Sequence, residues 1–257
     1  MSQYEARFGG IGRLFSAAGL ARLRDSHVAV IGVGGVGSWT VEALARSGIG
    51  ELTLVDLDEI CVTNVNRQLH ALDGAIGAFK VEAMAGRVAA INPECVVHSI
   101  PGFFTEASAA EILSTPFSFV VDAIDRSPKK ALLIARCREL HLPLVTVGAA
   151  GGRRDPTAVR VADLARAGHD RLLRETRNQL RSDHGFAKGD QLMGVSCVFS
   201  TESVRKPSAD ELACAAGDGP AGLRIDCNSG YGTASFVTGT FGLVAAGEVV
   251  RQLAEPY

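Results

Sequence analysis

Aromatic residues make up only 6% of the 257 residues, there is a single tryptophan, and the six cysteines form no Cys-x-x-Cys pair. Cys61, Cys95, Cys137, Cys197, Cys214 and Cys227 also lack close Cys/His spacing. Neither a structural zinc nor a disulfide framework is therefore expected, and a reducing cytoplasm fits best. Charge of one sign is lacking too: 26 lysines and arginines face 28 aspartates and glutamates, for a net −2. No global field for a polyanion exists, so any nucleic-acid contact has to come from a local patch. Long hydrophobic runs are missing as well. Arg7, Arg13, Arg22 and Arg24 interrupt the N-terminal apolar residues, which excludes a secretory signal there. Tyr231 to Gly247 is uncharged, but it falls short of about 20 residues, contains Gly232, Gly239 and Gly242, and is closed by Glu248. A core helix packed closely on a sheet is expected, with no membrane span.

What the chain does have is glycine at chosen places. Val28 to Ile31 is an apolar run that ends in Gly32, Gly34, Gly35 and Gly37. A buried strand turning straight into a helix aims backbone N–H groups at a phosphate. Asp56 ends the next apolar run, where a carboxylate reaches a ribose hydroxyl. Asp58, Asn64, Arg67 and Gln68 follow within a short segment, and Lys80 lies one loop further on. A cation and amides at that place suit ATP better than NAD, because clamping phosphate charge is what phosphoryl or nucleotidyl transfer requires.

From Asp25 onward strand-like runs alternate with helical patterns: Val28–Ile31, a helix from Val36 to about Ser47, Glu51–Val55, a helix over Ala78–Ile91, Cys95–Ile100, Glu106–Leu113, Phe117–Asp122, Pro128–His141 and Leu144–Val147. This alternation predicts an α/β, Rossmann-like, mostly parallel sheet flanked by helices. Gly48 and Gly50 stop the first helix, and Asn92-Pro93 stops the next. Beyond Gly148–Gly152 the pattern fades into a strand at Val159–Val161, a helical stretch Asp163–Arg181, two loops at Asp183–Gly194 and Lys206–Gly222 that read as mobile or substrate-ordered, and the terminal helix. One domain over residues 1–257 is expected, with a nucleotide core at about 25–150 and a C-terminal extension at about 151–257 completing the same domain for substrate and dimer contacts.

Asp122 and Asp125 close the Phe117–Val121 strand at the sheet's carboxyl edge, and Asp125 is the preferred Mg²⁺ ligand. Helix capping ahead of Pro128 is a compatible role for Asp125. Arg67 also reads as a solvated charge, Lys80 as a surface partner of Glu82 or Asp73, and Asn64 as a helix cap. Their joint occurrence after Asp56 favours the functional reading. Arg166, Arg174, Arg177 and Arg181, with Arg153, Arg154, Arg171 and Lys188 nearby, offer a basic face for RNA or, equally, a solvated helix balanced by Asp163, Asp170 and Glu175. Cys197 and Cys227 read as small hydrophobes, the commoner state for a cysteine, and a thioester or persulfide role enters only by analogy with the family that the motifs below resemble.

Gly-x-Gly-Gly-x-Gly, Val-Asp-x-Asp, Asn-x-x-Arg-Gln, Lys80 and Asp-x-x-Asp, taken in this order, resemble the ubiquitin-activating-enzyme-like adenylating superfamily, which includes the molybdopterin and thiamine adenylyltransferases. Arg7-Phe-Gly-Gly10, Asp58 to Asn64, Arg67 to Leu72, Gly148 to Gly152 with Asp155-Pro156, Ser196 to Glu202 and Asp226 to Gly232 extend the likeness over nearly the whole chain. In these the chain resembles the tRNA threonylcarbamoyladenosine dehydratase family. The resemblance implies ATP-dependent adenylation of the carboxylate on threonylcarbamoyladenosine beside the anticodon, then ring closure with loss of water. It implies catalytic roles for Arg67, Lys80 and Asp125, ATP with Mg²⁺ as cofactors, and a homodimer. A monovalent cation and sulfur-relay partners such as a cysteine desulfurase stay open. The position matching a cross-dimer arginine in relatives falls at Gly9-Gly10, leaving Arg7 or Arg13 as substitutes. Activation of a sulfur carrier's C-terminal glycine is the first alternative, a non-catalytic nucleotide scaffold the second, and a simple NAD oxidoreductase the third.

Overall fold

The computed structural model describes residues 2–205 and 231–255. Seven strands form one sheet in the order β3-β2-β1-β4-β5-β7-β6. Strands β1 (His27–Ile31), β2 (Glu51–Val55), β3 (Val96–Ile100), β4 (Phe119–Asp122) and β5 (Leu144–Val147) run parallel. Beyond β5, β7 (Ser196–Ser200) continues the parallel run, and β6 (Val159–Asp163) closes the edge antiparallel to it. Helices α2 (Gly37–Arg46), α3 (Lys80–Ile91), α4 (Glu106–Ile112) and α5 (Ser127–Glu139) are the crossovers between the parallel strands. The order 3-2-1-4-5 reverses direction between β1 and β4, and that reversal opens a crevice at the carboxyl ends of the strands.

The inner strands β1, β2, β4, β5 and β7 are buried on both faces, which is why they read as apolar runs, whereas the edge strands β3 and β6 are partly exposed. Val28 and Val30 point into a core shared with α2, α3 and the terminal helix α7 (Ser235–Ala254), while Ala29 and Ile31 face the cluster of α4 and α5. Helix α7 is the buried helix expected from Tyr231 to Gly247, with Val237, Phe241, Ala245, Ala246 and Val249 in the core. A methyl group at Gly242 would sit 2.6 Å from the Val36 carbonyl and 2.7 Å from Trp39 Cβ, so glycine permits the close crossing of α7 over α2. Among the described residues no helix is long and apolar enough to cross a membrane.

Two expectations need correction, and one element went unread. The arginine-rich start of the chain, read only for signals, folds as α1 (Gln3–Arg24), kinked at Phe15 and Ser16. Its interior glycines argue against a helix by propensity, but burial of Tyr4, Phe8, Leu20 and Leu23 overrides them. The stretch Asp163–Arg181 is not one helix. Asp163 accepts from the N–H groups of Ala165, Met193, Gly194 and Val195, which ends β6 and leaves a short 3₁₀ turn; Asp170 then caps α6 (Arg171–Asp183). The Asp183–Gly194 loop is anchored: Phe186 and Met193 are buried, Arg138 stacks on the Phe186 ring, and Arg181 donates to the carbonyls of Ala187 and Gly189. The Lys206–Gly222 loop lies outside the described residues.

Candidate active site

The strand-to-helix turn after β1 is built by glycine. Gly32 holds φ +92°, and a Cβ there would lie 2.8 Å from the Ala123 carbonyl; at Gly37 it would lie 1.9 Å from the Gly32 carbonyl. No side chain fits either place, so the loop after β4 and the turn after β1 touch at the crevice. Val33 is clamped at both polar ends. Its N–H donates to Asp56 Oδ2 at 2.7 Å, and its carbonyl is 2.8 Å from His70 Nε2. Burial holds the His70 pKa below the ordinary imidazole value, against the pull of the Val33 carbonyl, so the ring is neutral and donates to that carbonyl.

Asp56 Oδ1 accepts from the N–H of Asp58 at 2.9 Å. Burial pushes the Asp56 carboxyl up, opposed by the Lys80 charge and by the two N–H donors. Each carboxylate oxygen has further lone pairs, so the group can still take a ribose hydroxyl. Lys80 is not the surface lysine of the bland reading. Its side chain is 6% exposed and its Nζ lies 2.7 Å from Asp58 Oδ2. The first turn of α3 thus aims an ammonium at the strand β2 end.

Arg67 is fixed through its backbone. Its carbonyl accepts from Trp39 Nε1 at 3.1 Å and Thr238 Oγ1 at 3.0 Å, tying it to α2 and α7. Trp39 and Thr238 are supporting residues that sequence reading missed; nothing in their spacing marks them, since only tertiary packing joins them. The Arg67 guanidinium donates to the Thr63 carbonyl and to Asn66 Oδ1. Asn64 is buried, and its side-chain oxygen accepts from the Cys61 N–H, so it closes the Val62–Asn64 3₁₀ turn that it ends rather than capping a turn that follows it. Gln68 is 8% exposed and packs beside Gly34, and its Oε1 has no partner among the described residues. A buried amide oxygen left open costs stability unless something donates to it, which suits a ligand at the turn. Gly35 faces the protein, within contact of Thr238 and the Arg67 stem. The adjoining cleft of about 470 Å³ is lined by Val62, Thr63, Asn66, Arg67, Tyr231 and Thr233.

The two aspartates at the end of β4 and just beyond it part company. Asp122 is wholly buried in an ion pair with Lys130 at 2.9 Å and accepts from Thr146 Oγ1 at 2.6 Å. Asp125 lies exposed in the bend that follows, its carboxylate uncommitted among the described residues. Sequence reading overlooked Lys130, whose burial no spacing announces.

The basic C-terminal patch is less free than its composition implied. Arg153 is buried, paired with Asp170 at 3.2 Å, and donates to the carbonyls of Ala149, Ser200, Glu202 and His169. Arg177 donates to the carbonyls of Leu164 and Ala167, and burial lowers its pKa. Arg181 is committed to the Asp183–Gly194 loop. Arg166 and Arg174 remain exposed. Cys197 is fully buried, and that burial raises its thiol pKa far above the ordinary value, which favours the protonated thiol over the thiolate that a nucleophile needs. Cys227 lies outside the described residues. At the N-terminus Arg7 donates to the Ile91 carbonyl, and the Arg13 guanidinium lies over Gly9 and Gly10.

The ThiF family model matches residues 10–256. The tRNA threonylcarbamoyladenosine dehydratase of Escherichia coli (strain K12) is 47% identical over 97% of this chain and 94% of its own length. That of Bacillus subtilis (strain 168) is 38% identical over 91% of this chain and 89% of its own. The crystal structure of the E. coli enzyme in complex with ATP superimposes with a TM-score of 0.88, covering 98% of this chain and 96% of that one at 43% identity.

Proposed function

The chain belongs to the ThiF family and, within it, to the tRNA threonylcarbamoyladenosine dehydratases, and we propose that it uses ATP to convert threonylcarbamoyladenosine beside the anticodon of tRNA to its cyclic form. It is an ATP-dependent adenylating enzyme. The observation that carries the reading is the meeting of the Gly32–Gly37 turn, Asp56 and the Lys80–Asp58 pair at one sheet edge, in a chain that aligns end to end with an ATP-binding dehydratase.

In this reading the N–H groups of the glycine turn receive the phosphates, and the free lone pairs of Asp56 take the ribose hydroxyls. Arg67 and Lys80 neutralise charge that grows on the triphosphate. An uncommitted, exposed carboxylate at the crevice fits a hard cation, so Asp125 would hold Mg²⁺; when bound, the ion supplies positive charge to the phosphate oxygens. A carboxylate oxygen of the substrate bonds to the α-phosphorus as the bond to pyrophosphate breaks. The neighbouring carbamoyl group then closes on the activated carbonyl carbon and AMP leaves, so the nucleoside has lost one water overall. Ring closure within one molecule has a high effective molarity, which removes the need for a protein nucleophile and agrees with the burial of Cys197. The cleft beside Arg67 has the size of a small-molecule site and suits the modified nucleoside, with exposed Arg166 and Arg174 as candidates for RNA phosphate. Exposed Val62, Val65, Leu72 and Ile76 support a homodimer that covers this loop.

Mass spectrometry of nucleosides from tRNA incubated with ATP and the protein tests the function: threonylcarbamoyladenosine should lose the mass of one water. Lys80→Ala and Asp125→Ala should cut pyrophosphate release sharply, by about 10²-fold or more, while circular dichroism stays unchanged. Wild-type turnover in either variant would remove that residue from the mechanism.

A further inference from the structure

At the opposite end of the same strands, three possible metal ligands meet. His27 is the first residue of β1 and Glu51 the first of β2, and the two are register partners; His98 on β3 is the partner of Thr53. His27 Nδ1 lies 3.5 Å from Glu51 Oε1, and His98 Nε2 lies 2.7 Å from the same oxygen. The ligand atoms of all three residues lie within 4.8 Å of one another. All three residues sit on the α4–α5 face of the sheet, as the His27 ring shows by packing edge-on against Phe117, with ring centroids 4.8 Å apart.

From this geometry we infer a binding site for one divalent cation of the zinc class, held by His27 Nδ1, Glu51 and His98 Nε2, at the amino edge of the sheet and separate from the nucleotide crevice. Four observations support it. Two imidazoles and a carboxylate are a donor set that suits zinc rather than magnesium, and three protein ligands leave a fourth position for water. In a tetrahedral site with bonds of about 2.0–2.1 Å the donors stand roughly 3.3 Å apart, and the 2.7 and 3.5 Å from Glu51 to the two imidazoles bracket that value. Thr53 Oγ1 lies 2.8 Å from His27 Nε2, and as the acceptor of that N–H it leaves the Nδ1 lone pair facing Glu51. Two acceptors then oppose each other at 3.5 Å. The other tautomer does little better, because 3.5 Å exceeds the length of a good N–H···O bond. A cation between them satisfies both. Finally, access is open: the side chains of Glu51 and His98 are 38% and 49% exposed, while the buried ring of His27 is held in place. Sequence spacing cannot reveal this site, since its ligands are 24 and 47 residues apart and only the strand register assembles them.

The test is equilibrium dialysis of the full chain, stripped with chelator, against Zn²⁺ alone, with Co²⁺ as a spectroscopic substitute. One Zn²⁺ per chain and a tetrahedral Co²⁺ absorption band are expected. His98→Ala, at an exposed position, should abolish both, and Thr53→Val should weaken binding by about 10–100-fold through loss of the outer partner. Thermal stabilisation by Zn²⁺ should disappear in His98→Ala while the melting curve without metal stays unchanged. Equal Zn²⁺ binding by wild type and His98→Ala, or no binding by either, overturns the inference. Adenylation activity is not the readout, so failure here leaves the reading of the nucleotide site untouched.

Discussion

Replacing Lys130 by methionine probes whether the crevice rests on a buried charge pair. Lys130 Nζ lies 2.9 Å from Asp122 Oδ2 and donates to Thr146 Oγ1 at 3.1 Å and to the Asp122 carbonyl at 3.2 Å, with both charged side chains fully buried. Removing one partner strands a carboxylate in the interior, which costs about 3–5 kcal/mol. For a domain of this size each kcal/mol lowers Tm by roughly 2–4 °C, so a fall of about 6–20 °C is expected at neutral pH. The deficit should also depend on pH. Burial already raises the Asp122 pKa, with the Lys130 charge as the main opposing cause. Without the lysine it rises further above its unfolded value. A carboxyl so shifted favours the folded state fully below its unfolded pKa, and this advantage is lost as pH rises through the folded value. Lys130→Met should therefore approach wild-type stability in acid and fall away from it toward neutrality. The double variant Asp122→Asn/Lys130→Met, which keeps an acceptor for the Ile124 N–H and lets the amide NH₂ replace the Lys130 ammonium as donor to Thr146 Oγ1, should recover most of the loss. Thermal unfolding followed by circular dichroism across pH decides the matter. A Tm for Lys130→Met within about 2 °C of wild type, or a deficit independent of pH, would refute the reasoning.

Glu42 is nearly buried between Arg87 and Arg46, at 2.5 and 2.7 Å; desolvation raises its pKa, but hydrogen bonds from the two arginines outweigh it and the net shift is downward. Its contribution is present above the unfolded glutamate pKa and lost as pH falls through the lower folded value. Glu42→Gln should thus cost about 1 kcal/mol at neutral pH, discounted for the exposure of the arginines, and the gap to wild type should close in acid. Cys197→Ala should retain cyclisation, because a buried, protonated thiol is no nucleophile; a folded but inactive protein would restore a catalytic role. Arg177→Ala should lower stability by about 1–3 kcal/mol, since it takes the donor from the Ala167 carbonyl and leaves the Leu164 carbonyl only the Ala167 N–H, whereas Arg174→Ala should leave Tm alone and reduce the salt dependence of tRNA binding by about one unit of slope. Equal effects of the two substitutions on Tm would contradict that division.

Periodicity and punctuation carried the sequence a long way here. Strand-like runs, helix stops and the glycine turn placed β1 to β5 within a few residues of their observed bounds, because a two-faced parallel sheet forces apolar runs and βα alternation. The terminal helix was legible for the same reason. Where local propensity and tertiary packing disagree, as in glycine-bearing α1, packing wins, and the sequence carried no clear helix signal there. Strand β7 was passed over because five residues, Ser-Cys-Val-Phe-Ser, carry no alternation of their own and are strand only between β5 and β6.

Chemistry divides along the same line. Residue type and order by themselves led to the proposal of a nucleotide phosphate at Gly32–Gly37 with Asp56, Lys80 and Asp125 near it, since the glycine turn, Asp56 and Asp125 follow strands at the carboxyl edge and Lys80 opens the next helix. Which charges are free to act was decided only in three dimensions. Lys80 and Lys130 are both buried lysines paired with aspartates, yet one stands at the crevice and the other beneath it. Arg153 and Arg177 look like RNA ligands in the sequence and turn out to bond backbone carbonyls. His27, Glu51 and His98 mean nothing until register sets them side by side. Charge is a property of the residue, but its desolvation and its partners belong to the fold.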